Sequence, residues 1–171
     1  MGKDHAWTVI HSSADDTWRT PPELYERLDR EFSFSLDAAA LEGSKLAPLW
    51  YGPNHTDETR RDALNVSWEG ATTFLNPPYG RTVGDWIKKA HKESRRGSTV
   101  VVLVMACTET RWFREIAWKA DELRFIQGRV KFLRGDGTPA AASPKGSVLI
   151  VFRPNVPPDG WAGGPRCSLF M

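Results

Sequence analysis

The chain has 171 residues, 40% of them hydrophobic, with eight tryptophans, eight phenylalanines and a formal net charge of +2. This is a globular composition of single-domain size, and no window approaches the ~20 consecutive apolar residues that cross a bilayer. The charge is too small to argue for a nucleic-acid partner by itself, although positive residues concentrate in "WIKKAHKESRRG" (86–97) and between Arg124 and Arg134. The opening "MGKDHAWTVIHSSADD" lacks the apolar run of a secretory signal, so a cytoplasmic location is expected. Cys107 and Cys167 are isolated and the histidines show no i, i+4 pair, so no metal site is expected.

In chain order, residues 1–16 read as a flexible arm. "TPPELYERLDREF" predicts a helix from Pro21, with Thr20 at the N-cap and Glu23 closing a capping box. "FSFSLD" (32–37) alternates apolar and polar residues and predicts a strand ending on the Asp37 carboxylate. "APLWYG" predicts a second short strand and "TTFLN" a third. A helix is expected over 82–96. "STVVVLVMA" (98–106) is so continuously β-branched that both its faces must be covered, as in the middle of a parallel sheet. A further helix is expected over 110–120, then strands in "ELRFIQ" and "GSVLIVF". "GRVKFLRGDGTPA" predicts a hairpin turning through Gly135, Asp136 and Gly137. The Pro- and Gly-rich stretch 154–171 reads as a flexible tail. This succession predicts one α/β domain over 17–153, with a mainly parallel central sheet and an antiparallel C-terminal strand or hairpin. Ligands of such a sheet lie beyond the carboxyl ends of its strands, where Asp37, Asn76 and "ACTET" fall.

Asn76-Pro77-Pro78-Tyr79 carries the most specific chemistry. The prolines fix the backbone as it leaves the sheet. The exocyclic amine of a nucleobase is a poor nucleophile because its lone pair is delocalised into the ring. If the Asn76 side-chain oxygen and the Pro77 carbonyl each accept one amine hydrogen, the lone pair is aimed at an electrophile in a near-attack arrangement. Tyr79 is placed to stack on a base taken out of its helix, and Gly80 allows close approach. A tight turn is the alternative reading of the same four residues.

The segments "TWRTPPELYERL", "FSLDAAA", "DALNVSWEG", "FLNPPYGRTVGDWIKKA", "TETRWF", "GRVKF" and "GSVLIVF" occur in that order. Over residues 17–153 the chain thereby resembles the phage-type DNA N-6-adenine methyltransferases, a branch of the S-adenosylmethionine-dependent methyltransferases. The resemblance implies a Rossmann-like methyltransferase domain, S-adenosylmethionine as cofactor and DNA as partner, with neither membrane nor metal involved. A bacterial host cell is the implied setting if the chain is phage-encoded. Catalysis is implied for Asn76, Pro77, Pro78 and Tyr79. Thr20 and Pro21, Asp37 with Ala38 and Ala39, Asp62 with Ala63, and Asn76 itself are the implied cofactor contacts. "LDAAALEG" departs from the superfamily in lacking Gly-x-Gly-x-x-Gly, which a cofactor without a pyrophosphate tolerates.

Tyr79, Thr108, Arg129 and Lys131 are the implied substrate contacts. Arg129 and Lys131 flank inward-facing Val130 and Phe132, so both charges share a face suited to phosphates. Lys88, Lys89, Lys92, Arg95 and Arg96 offer a second basic patch, read first as a solvated helix face. Trp68, Trp112 and Phe113 read as core. No spare block of ~80 residues is available for a recognition domain, so a short or relaxed target is expected. The same tetrapeptide can grip adenine in RNA or a glutamine amide on a protein, and a non-catalytic phage DNA-binding protein is a third reading. The sequence does not specify an oligomeric state.

Overall fold

The computed structural model describes residues 18–140, 142–155, 157 and 161–171, so the expected N-terminal arm lies outside the described residues. The β-branched run forms the middle of the molecule as strand β4 (Thr99–Met105), with Val100 to Val104 at most 1% exposed. Around it lie β1 (Leu36–Asp37), β2 (Leu49–Trp50), β3 (Thr72–Leu75), β5 (Glu122–Ile126), β6 (Ser147–Phe152) and β7 (Arg166–Phe170). They form one sheet in the order β2-β1-β3-β4-β6-β5-β7. Only β6 runs antiparallel to its neighbours, β4 and β5. The mainly parallel α/β sheet with an antiparallel C-terminal strand therefore stands as the sequence predicts.

Alternation along β4 divides the core in two. Val101 and Leu103 face Tyr25 and Leu28 of helix α1 (Pro22–Phe32), together with Phe74 and Phe132. On the opposite face, Val100, Val102 and Val104 pack with Trp68, Trp86, Ile87 and Phe113 on the side of helices α2 (Val83–Ser94) and α3 (Arg111–Glu115). Trp68 and Phe113 are buried core residues, as their types suggest.

Helix α1 starts one residue later than predicted, and the capping box is not formed. Pro21 is its N-cap, with no side-chain cap hydrogen bond, and the Thr20 hydroxyl is engaged elsewhere. The helix ends where Ser33 adopts φ 53° and the Asp29 carboxylate accepts from the Phe34 amide at 2.8 Å. "FSFSLD" therefore contributes only Leu36–Asp37 to the sheet: Phe32 is still helical and Ser33 is left-handed. The expected 110–120 helix is divided into α3 and a 3-10 turn at Ala117–Lys119. The predicted hairpin has a turn in which the Arg134 amide donates to the Thr138 carbonyl at 2.7 Å, but Leu133 also pairs with Arg19.

Two corrections concern charge and the chain end. Lys89 is not part of an exposed basic patch. It is 9% exposed, donating to Glu93 Oε1 at 2.8 Å and to the Val66 carbonyl, while Glu93 accepts from the Trp68 amide at 2.8 Å. This pair pins α2 to the loop that leads into β3. The stretch read as a tail contains β7, which pairs in parallel with β5. Its exposed residues give no burial periodicity to read; the backbone ladder and Arg166, 2.7 Å from Asp121, hold it in place.

Removing one partner of a buried ion pair leaves an uncompensated charge, at a cost of about 3–5 kcal/mol. Glu93→Ala should lose about that much stability in urea unfolding; a loss below about 1 kcal/mol would show that the pair does not hold the loop.

Candidate active site

Strand β3 ends at Leu75, and the next side chain is fixed by two acceptors from the segment before α1. Asn76 Nδ2 donates to the Trp18 carbonyl at 3.0 Å and to Thr20 Oγ1 at 3.2 Å. A carbonyl only accepts, so the amide nitrogen must face Trp18, and this sets which way round the side chain lies. With both hydrogens engaged, Asn76 Oδ1 is left buried with no donor. An unmatched buried acceptor costs about 1–3 kcal/mol, which an N–H from a ligand relieves.

The backbone beyond Asn76 is equally constrained. Pro77 is buried, and no backbone N–H of the described residues reaches its carbonyl. Gly80 sits at φ +130°, where a side chain would be strained. Tyr79 packs its ring 5.7 Å from Trp18 and 6.1 Å from Phe132, forming an aromatic wall. Burial first, and then the nearby Cys107 thiol, push the Tyr79 phenol far above its ordinary value, so it stays neutral.

Asp37 closes β1 on the other side. Its carboxylate is 4% exposed and accepts from the amides of Ala39 (3.4 Å) and Leu46 (3.2 Å), with no cation beside it among the described residues. Burial pushes its pKa up to about 6 against the pull of the Leu46 and Ala39 amides. Asp37, Asn76, Pro77, Pro78 and Tyr79 line one cleft with Trp18, Arg19 and Thr20, closed by Ala39 to Leu41, Ser44, Leu46 and Phe74. About 580 Å³ of non-atom space, open solvent at the mouth included, lies between these walls.

A family model described as DNA N-6-adenine-methyltransferase (Dam) matches residues 8–162. The chain belongs to the DNA N-6-adenine-methyltransferase family. It is also 25% identical, over 149 residues, to the DNA N-6-adenine-methyltransferase of Haemophilus phage HP1 (strain HP1c1), a match covering 85% of this chain and 83% of the phage protein.

The cleft of this methyltransferase brings together Thr20, Asp37, Ala39, Asn76, Pro77, Pro78 and Tyr79 from the residues singled out in the sequence. Ala38 is fully buried, its amide bonded to the Phe74 carbonyl, and Pro21 heads α1. Asp62 and Ala63 are not among the residues lining this cleft. The Asp62 carboxylate accepts from the Leu64 amide and from Asn65 Nδ2, while the Ala63 carbonyl accepts from Trp68 Nε1. Thr108 is exposed after β4. Arg129 and Lys131 are exposed while Val130 and Phe132 are buried, with Arg129 donating to the Ser143 carbonyl at 3.1 Å. No group of three potential metal ligands occurs among the described residues.

Trp18, Arg19 and Leu46 are cleft residues that the sequence reading missed. Trp18 and Arg19 sit directly before a Thr-Pro taken for a helix start, and only tertiary contacts, of Trp18 with Asn76 and of Arg19 with Leu133, reveal them.

The Asp37 value fixes a pH dependence. Below about pH 4 the carboxyl is protonated in both folded and unfolded chains. Between 3.8 and about 6 the unfolded chain ionises while the folded one keeps its proton, so stability falls with rising pH. The total fall is about 3 kcal/mol at roughly 1.4 kcal/mol for each pH unit between the two values. Urea unfolding at pH 4 to 7 should show this fall in the wild type and lose it in Asp37→Asn. Parallel curves would contradict the assignment.

Proposed function

We propose that this methyltransferase moves the methyl group of S-adenosylmethionine to N6 of adenine in DNA, at a short or relaxed target sequence. The observation that carries the reading is the Asn76 amide, turned by Trp18 and Thr20 so that its oxygen is left for an incoming N–H. The family and the phage relative supply the reaction class.

The residues present fit the cofactor. Asp37 offers a buried carboxylate without a cationic partner among the described residues, complementary to the ammonium of an α-amino-acid end. When bound, the cofactor supplies an electrophilic methyl group on a sulfonium. Asn76 Oδ1 and the Pro77 carbonyl each accept one hydrogen of the adenine amine, drawing the nitrogen toward tetrahedral geometry and aiming its lone pair. Tyr79, steadied by Trp18 and Phe132, stacks on the extruded base. No strong base is required, because the N6 proton becomes acidic once the methyl has transferred. Arg129 and Lys131, exposed on one face of the hairpin segment, bind phosphates. All seven strands share a single sheet, leaving no second unit among the described residues to read a long sequence.

Mass spectrometry of nucleosides from DNA, RNA and protein treated with enzyme and cofactor should show N6-methyladenine from the DNA. Methylation of RNA or protein alone would overturn the choice of acceptor. Asn76→Ala should lower kcat by about 10²–10³, the range for loss of one aligned hydrogen-bonding group. Retention of the wild-type rate would refute the grip on the amine. Tyr79→Ala should weaken DNA capture more than cofactor binding; equal losses of both would contradict stacking.

A further inference from the structure

Thr20 lines the cleft beside Asn76. It is 5% exposed, and its Oγ1 accepts from Asn76 Nδ2 at 3.2 Å. A hydroxyl has two lone pairs and one hydrogen. One lone pair is engaged by Asn76, while no hydrogen bond shown for Thr20 uses the hydrogen. Beside it, Arg19 also lines the cleft, and its buried Nε has no acceptor. Arg19 and Thr20 thus form a wall with two unused donor hydrogens in the same cleft as the Asp37 carboxylate. An α-amino acid end carries a carboxylate and an ammonium, the groups that these two walls complement.

We infer that Thr20 is a positioning residue that couples cofactor binding to the grip on adenine. Its hydroxyl donates to the cofactor's carboxylate and, so oriented, turns a lone pair onto Asn76 Nδ2, which holds Oδ1 for the amine. With no acceptor, the hydroxyl rotor also samples settings in which its hydrogen opposes Nδ2. Trp18, the other acceptor for Nδ2, is not adjustable in this way. Its carbonyl belongs to a backbone segment tied to Leu133 by two hydrogen bonds of 2.8 and 3.0 Å through Arg19. The hydroxyl is therefore the member of the pair that responds to a ligand. This inference rests on the proposed cofactor and on the proposed role of Asn76.

The test is fluorescence anisotropy of an adenine-containing duplex titrated with enzyme, with and without saturating S-adenosylhomocysteine, which keeps the amino-acid end but transfers nothing. The wild type should bind DNA about fivefold or more tightly with the analogue, the lower range of typical coupling between sites. Thr20→Ser should keep that ratio. Thr20→Val, of the same shape without the hydroxyl, and Thr20→Ala should bring it close to one. Wild-type coupling in both Val and Ala variants, loss of coupling in the Ser variant, or no coupling in a wild type that binds the analogue by calorimetry would overturn the inference. Failure of the wild type to bind the analogue at all would instead bring down the cofactor reading, and the inference with it.

Discussion

The amide of Asn76 can lie only one way round. Both its hydrogens go to oxygens of the segment before α1, one of them a carbonyl that cannot donate in return. Each such bond contributes about 1 kcal/mol net, and the buried Oδ1 left over opposes them by a comparable amount. The protein thus keeps a polar atom unmatched in a cleft wall, where an N–H of the proposed substrate would satisfy it. The proposed methyl transfer draws its selectivity for an amine from this one orientation.

The remaining fold holds that amide still. Parallel strands β1, β3 and β4 bring Asp37, Asn76 and Cys107 to the same edge of the sheet. The two-faced core around β4 fixes where that edge lies, and the buried Lys89–Glu93 pair secures the loop that enters β3. On the other side, residues 18–20 are trapped between Asn76 and the 129–140 segment, with Trp18 against both Tyr79 and Phe132. Phe132, next to the exposed Lys131, thereby packs against two residues that line the cleft, Trp18 and Tyr79. Contact with DNA there would bear on the same segment that orients Asn76.

Much of this was legible in the sequence because it depends on local rules. The unbroken valine-rich run can only be a doubly covered strand, and Asn-Pro-Pro-Tyr after an apolar strand forces a rigid exit at the sheet's carboxyl edge. The errors arise where a tertiary partner overrides a local one. Thr20 has the spacing of a helix cap, yet its hydroxyl is engaged by Asn76, 56 residues away. Lys89 looks like one more cation on a basic helix, but Glu93 and the Val66 carbonyl draw it inward. Strand β7 lacks a buried face, so no alternation announces it. Trp18 and Arg19 line the cleft through a bridge to Leu133 that nothing in their own stretch of sequence encodes.

A crystal structure of the enzyme with S-adenosylhomocysteine and an adenine-containing oligonucleotide addresses the central claim most directly. The account predicts the adenine N6 about 3 Å from both Asn76 Oδ1 and the Pro77 carbonyl, with Nδ2 still on Trp18. An amide turned to present Nδ2 to the base, or an adenine seated away from Asn76, would contradict it.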